Sequence, residues 1–133
     1  KEREMVRGQI RFMKQYRYIL QFGTFYRLQS PFEHNIAAWM AVSEDKQTAI
    51  VGYYKTLNDV NCEYRRLKLK GLEAGTAYQV GQSGKVHYGD ELMNLGLITT
   101  DPSAGQPTSG QPEEGMEMCT DFWSKIYVLK AAR

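Results

Sequence analysis

Tyr64-Arg65-Arg66-Leu67-Lys68-Leu69-Lys70 alternates apolar and basic side chains from Arg66 onward. Extended backbone sends successive side chains to opposite faces, so Leu67 and Leu69 share one face and Arg66, Lys68 and Lys70 the other. That is the pattern of an antiparallel sheet with one side in water. Five further stretches have strand character: Phe25 to Leu28, Ala37 to Val42, Thr48 to Thr56, Ala77 to Val80 and Phe122 to Lys130. They are rich in aromatic and β-branched residues and are separated by turn residues. Ser43-Glu44-Asp45-Lys46 is a polar connector of hairpin length, and Gly71-Leu72-Glu73-Ala74-Gly75 does the same between two later strands. Antiparallel pairing of sequential neighbours is therefore expected. Six strands without helical crossovers place the chain in the mainly-β class, as an antiparallel β-sandwich. Trp39, Leu67, Leu69, Tyr78 and Val128 are expected in its core.

One helix precedes the strands. At 100° per residue, Met5, Val6, Ile10, Phe12, Met13, Tyr16, Ile19 and Leu20 fall on one half of a wheel, so Lys1 to Leu20 reads as an amphipathic α-helix. Arg3, Arg7, Arg11 and Lys14 gather on the opposite side, which is read as a solvated face in preference to a membrane-surface or calmodulin-type pattern. An apolar arc of half the circumference is wider than the ~100° stripe of a helix lying on one surface. It implies a second packing partner outside this chain, and a helix less securely packed than the strands. Gly23 follows Gln21-Phe22 as a glycine suited to a left-handed C-terminal cap. The organisation expected is a helix over 1–22 and a β-domain over 23–133. Thr99 to Thr120 interrupts the latter with Pro102, Pro107, Pro112, Gly105, Gly110 and Gly115, and is expected to be a long mobile loop.

The whole chain has 133 residues, of which 42% are apolar, enough for one domain with its own core. Seventeen Lys+Arg face 15 Asp+Glu, a net charge of +2 without clustering, so nucleic acid is not an expected partner. The longest apolar run, Ile36 to Val42, is seven residues against the ~20 that a bilayer-spanning helix requires, and no membrane partner is expected. Lys1 is not an initiator Met, and the charged residues after it contain no apolar h-region, so the chain reads as a piece of a longer polypeptide. Cys62 and Cys119 are read as reduced thiols in preference to a disulfide, which fits a cytoplasmic origin.

Residue chemistry alone yields no catalytic constellation. His34 and His87 have no Cys, His or carboxylate at metal-ligand spacing, and are read as structural. Neither cysteine lies in a nucleophile motif. Gly81-Gln82-Ser83-Gly84 and Gly89-Asp90 do not form a phosphate cradle and read as turns. Asp90 and Glu91 would point to opposite faces of an extended chain. They are poorly placed as a glycosidase pair, and Asp90 is read as capping a short turn or helix that begins at Glu91. Tyr53 and Tyr54 must face opposite ways, so one of them is available for an outward role such as a sugar platform, though core or interface use is preferred.

Particular residues go further. LQFGTFYRLQSPFEHNIAAWMAV (ending at Val42), AIVGYY (Ala49 to Tyr54), RRLKLKGL (Arg65 to Leu72), YGDELMNLGL (Tyr88 to Leu97) and DFWSKIYVLKA (Asp121 to Ala131) occur in that order. Together they resemble the C-terminal part of α-galactosidases of glycoside hydrolase family 36. The resemblance implies that Lys1 to Leu20 closes an upstream catalytic (β/α)8 barrel and that the strands form its C-terminal sandwich. It also implies a parent enzyme that hydrolyses terminal α-1,6-linked galactose from melibiose- and raffinose-type oligosaccharides, by retaining double displacement at two barrel aspartates. No position here matches either barrel motif, so the resemblance assigns no catalytic residue, metal ligand, cofactor-binding residue or cofactor. The implied role is a non-catalytic domain that stabilises the barrel or the subunit contacts of a homo-oligomer. A carbohydrate-binding module is the alternative, and a free-standing enzyme is a more distant one.

Overall fold

The computed structural model describes residues 1–58, 65–81, 85–99 and 121–132. Its first element is helix α1, Glu2–Phe22, with Glu2 and Glu4 in the first turn, where the helix dipole favours acidic side chains. Gly23 ends the helix differently from expectation. Its φ of −69° and ψ of 166° are extended, not left-handed. A glycine is required there by proximity, because a Cβ would stand 2.4 Å from the Ile19 carbonyl oxygen and 2.6 Å from that of Val42. The helix thus turns directly into the sheet.

Eight strands and a short second helix follow: β1 Thr24–Gln29, β2 Ile36–Val42, β3 Thr48–Lys55, β4 Arg66–Leu67, β5 Ala77–Val80, β6 Val86–Tyr88, α2 Gly89–Asn94, β7 Leu97–Ile98 and β8 Trp123–Ala131. All six expected strand regions contain one of these strands. The chain is a mainly-β, antiparallel sandwich preceded by one helix. A six-stranded sheet in the order β1-β2-β3-β8-β5-β6 forms the larger layer, and β4 pairs β7 in a two-stranded second sheet.

Pairing departs from sequential order in two places. The last strand, β8, inserts between β3 and β5, in register from Thr48↔Lys130 to Lys55↔Trp123 on one side and from Tyr78↔Ala131 to Val80↔Leu129 on the other. The stretch expected to form a strand from Tyr64 to Leu69 contributes only Arg66–Leu67, which pairs with β7 and not with the next strand in sequence. The burial alternation nevertheless persists: Leu67 and Leu69 are buried while Arg66, Lys68 and Lys70 are exposed. After Leu67 the backbone is held by other partners, with the Leu69 N–H donating to the Leu92 carbonyl at 3.1 Å and the Lys70 N–H to the Met40 sulfur at 3.2 Å.

The core lies between the layers. Met40, Val51, Tyr53, Tyr78, Tyr127 and Leu129 from the large sheet meet Leu67, Leu69, Leu72, Leu92 and Leu97 from the covering layer. Each such side chain contributes on the order of 1.5–3 kcal/mol through its burial. Trp39 and Val128, expected in this core, are half-buried, because their register places them on the opposite face of the sheet. Thr99, assigned to the loop from sequence, is fully buried and its N–H reaches the Arg65 carbonyl at 3.2 Å. The rest of that segment, 100–120, lies outside the described residues, as do Cys62 and Cys119.

On the outer face of the large sheet, α1 crosses the end near Val42 and Lys130. Tyr16 is its one buried side chain, with the Lys130 ammonium 5.9 Å from its ring centroid and the Phe12 ring tilted against it at 52°, centroids 4.7 Å apart. Met5, Val6, Ile10 and Met13 remain about half or more exposed. Apolar burial is what holds most protein helices in place, since short isolated helices are marginal in water. Amides in the first three turns of α1 should therefore exchange roughly 100-fold faster than those of β2, β3 and β8, a gap of about 3 kcal/mol in opening free energy. Hydrogen exchange with mass spectrometry on the 133-residue chain measures this, and equal protection of helix and sheet would refute it. No helix among the described residues is long and apolar enough to cross a membrane.

Candidate functional site

Two surface features qualify as candidates. The first is a groove of about 760 Å³ between α1, β8 and the covering layer. Phe12 and Tyr16 line it from the helix, Lys125 and Lys130 from β8, and His87 and Glu91 from β6 and α2. The second is the part of the sheet's outer face that α1 leaves uncovered.

In the groove one premise of the His87 reading, that no carboxylate stands at suitable spacing, is corrected. A carboxylate does stand four residues on, and His87 Nδ1 lies 2.9 Å from Glu91 Oε1, both side chains being partly exposed. The pairing arises because α2 begins at Gly89, two residues before the start at Glu91 expected from the sequence, so that His87 and Glu91 meet where β6 runs into its first turn. Gly89 and Asp90 open α2 and are not a turn, with Tyr88 at the N-terminal cap position. Asp90 is therefore inside the first turn: its Oδ1 accepts the Glu91 N–H at 2.7 Å and its carbonyl accepts Asn94 Nδ2 at 2.9 Å. Asp90 is exposed, and Glu91 is the single carboxylate among the described residues lining the groove. Glycoside hydrolysis takes two carboxyl groups about 5–9 Å apart across the scissile bond, and the groove supplies one.

Other candidates are dispersed. His34 is exposed in the connector between β1 and β2, and among the described residues no three His, Cys, Asp or Glu side chains gather as a metal site would require. Asp45 serves the β2–β3 hairpin: the Ser43 hydroxyl donates to it at 2.6 Å and the Gln47 N–H at 3.0 Å. Those two bonds, the Ser43 one first, hold its carboxyl below the usual carboxylate range. Gly81 has a φ of +60°, as turn geometry favours, while 82–84 lie outside the described residues.

The aromatic residues are better organised than the titratable ones. Tyr53 and Tyr54 do part across the sheet: Tyr53 is buried edge-on against Trp123 at 5.8 Å, and Tyr54 is exposed. On the same outer face Trp39 lies across Gly52, where a Cβ would stand within 2.8 Å of three indole atoms. Phe25 stacks beside it with ring centroids 6.0 Å apart and planes 25° from parallel. Ile126, the β8 partner of Gly52, completes the patch. This aromatic floor was missed in the sequence. Its signal was Gly52 within an otherwise apolar strand, since a strand glycine often marks close approach of another group.

Taken together, the topology and these surfaces define an antiparallel β-sandwich domain carrying a helix and an aromatic patch on one outer face. A family model described as the glycosyl hydrolase family 36 C-terminal domain matches residues 36–129. The chain belongs to that family. It is 47% identical over 96 residues to alpha-galactosidase AgaA of Geobacillus stearothermophilus, covering 72% of this chain and 13% of that protein. The crystal structure of the GH36 alpha-galactosidase AgaB of the same organism superposes with a TM-score of 0.79 at 39% identity, over 98% of this chain and 16% of that one. A variant AgaA structure in complex with raffinose gives a TM-score of 0.78 at 39% identity, again over 98% and 16%. The chain thus spans about a sixth of the solved chains it resembles.

Proposed function

We propose that this chain is the non-catalytic C-terminal domain of a retaining α-galactosidase that releases terminal α-linked galactose from melibiose- and raffinose-type oligosaccharides. In this reading α1, Glu2–Phe22, is the last helix of the upstream catalytic barrel. The sandwich stabilises that barrel or the contacts between subunits of a homo-oligomer, without nucleic-acid or membrane partners, in the cytoplasm. The observation that carries it is the match of nearly the whole chain, helix and sandwich alike, to about a sixth of proteins named as α-galactosidases. The groove adds support, because the one carboxylate that lines it among the described residues is tied to His87. A carbohydrate-binding module is the second reading, favoured by the exposure of Phe25 and Tyr54 beside Trp39.

The test is turnover of an aryl α-galactoside by the 133-residue chain and by the polypeptide encoded by the complete gene. The expected result is turnover by the longer protein alone, with galactose released first as the α anomer, as a double displacement at one carbon requires. Hydrolysis by the 133-residue chain, or cleavage of only some other glycoside by the longer protein, would overturn the reading.

A further inference from the structure

We infer that the groove along β8, between β5, β6 and the side of α1, is a binding site for a phosphorylated saccharide, a ligand distinct from the neutral galactosides of the function proposed above.

The groove exists because two neighbouring strands differ in length. β8 runs nine residues and β5 four, and their register ends at Val80↔Leu129. The Gly81 N–H closes the pairing on the Val128 carbonyl at 2.9 Å, and Gly81, at a φ of +60°, leaves the strand. In an antiparallel strand the backbone groups of alternate residues point to the same neighbour. Val128 and Ala132 address β5, the latter through its N–H on the Ala77 carbonyl at 2.8 Å. The N–H and carbonyl of Ile126 therefore point the same way, into the groove that Ile126 lines, with no strand beside them among the described residues.

Charge selects the sign of the ligand. Arg66, Lys85, Lys125 and Lys130 line the groove against the single carboxylate of Glu91 among the described residues, and that carboxylate is engaged by His87 at 2.9 Å. Lys125 and Lys130 have no carboxylate partner among the described residues. A cleft lined by one sign of charge focuses its field and draws in the opposite ion. An anion is thus favoured over a neutral sugar.

The remaining groups define what carries the charge. Gln79 stands directly opposite Lys130 in the β5–β8 register, so an amide and an ammonium are neighbours on one face. The Lys130 ammonium is steadied 5.9 Å from the centroid of the Tyr16 ring. Gln15 Nε2 donates to the Tyr16 hydroxyl at 3.2 Å, which sets a second amide beside that ring. Side-chain amides both donate to and accept from hydroxyl groups, and the Phe12 and Tyr16 rings offer an apolar wall to the C–H face of a sugar. The Ile126 carbonyl would repel a bare anion but accepts a hydroxyl. The volume, about 760 Å³, falls in the range of small-molecule sites and exceeds what inorganic phosphate fills. A phosphate monoester carries about two negative charges near neutral pH, matching Lys125 and Lys130 together.

The test is titration calorimetry of the polypeptide encoded by the complete gene with three probes: glucose phosphorylated on its primary hydroxyl, glucose itself and inorganic phosphate. The glucose phosphate should bind about tenfold tighter than either of the others, because only it meets both the cations and the amides. Its affinity should fall as ionic strength rises. The double variant Lys125→Gln/Lys130→Gln should weaken it about tenfold while the melting temperature moves by less than about 2 °C, since neither side chain is fully buried. Gln79→Ala should weaken the glucose phosphate about fivefold and leave inorganic phosphate unaffected, since only the ester presents hydroxyls to that amide. Excess galactose should not displace the glucose phosphate, which separates this groove from any galactoside site elsewhere in the longer protein. Absence of binding would overturn the inference, as would equal affinity for inorganic phosphate or for glucose, displacement by galactose, or full affinity in the double variant. Binding is read without turnover, so a longer protein inactive on α-galactosides that still binds the glucose phosphate in this way removes the proposed function alone.

Discussion

Gly89→Ala is expected to destabilise the domain by about 3 kcal/mol, the upper end of the range for forcing extra volume into a packed site. A Cβ at residue 89 would stand 2.0 Å from the Glu73 carbonyl oxygen and 2.8 Å from its carbon. Both atoms are backbone, so no side chain can rotate away. The backbone on each side is pinned as well: the Gly89 N–H donates to the Thr76 carbonyl at 2.9 Å, and the Asp90 N–H to that of Ala74 at 3.1 Å. Relief would require parting α2 from the connector that precedes β5, and with it the Leu92 and Leu72 side chains that cover the core. Urea unfolding of the 133-residue chain measures the loss. Gly8→Ala is the control, because nothing lies within 4 Å of a Cβ there, and alanine in a helix interior should instead raise stability by about 0.5–1 kcal/mol. A Gly89→Ala variant within about 1 kcal/mol of the parent would show that the connector yields easily.

Gly89 also marks where sequence reasoning stops. Hydrophobic alternation reports which side of a strand faces water, and there it was informative: Leu67, Leu69 and Tyr78 are buried, and Tyr53 and Tyr54 part as their adjacency demands. Alternation says nothing about which strand is the neighbour. The insertion of β8 between β3 and β5 is decided by long-range packing, in which the fully buried Leu129 needs a partner strand on each side. For the same reason period-two patterning puts Trp39 in the core, although its register on β2 turns it outward onto Gly52. Close backbone approaches at Gly23, Gly52 and Gly89 are invisible to composition, since a glycine chosen for space and one chosen for a turn look alike. The family resemblance carried further because it compares whole motifs, which already contain the outcome of that packing.

Tyr78→Ala is expected to cost about 4–5 kcal/mol, and Tyr78→Phe about 2 kcal/mol of that. The ring is fully buried on β5, whose registered partners are Ala131 of β8 and His87 of β6, so its removal leaves a cavity beside three strands. Its hydroxyl joins two connectors distant in sequence, donating to the Lys46 carbonyl at 2.8 Å and accepting the Glu73 N–H at 3.0 Å. Phenylalanine keeps the ring but leaves that carbonyl and that N–H without their partner in a site poor in water, where desolvation is not repaid. The neighbouring Lys46–Glu73 ion pair spans the same two connectors at 3.5 Å, but about half of each side chain is exposed. Solvent screening reduces such a pair to well under about 1 kcal/mol, so Lys46→Ala should have little effect on stability. The order expected in denaturant titrations is therefore Tyr78→Ala, then Tyr78→Phe, then Lys46→Ala. If Lys46→Ala proved as damaging as Tyr78→Phe, the charges and not the buried hydroxyl would be what ties the β2–β3 hairpin to the segment that leads into β5.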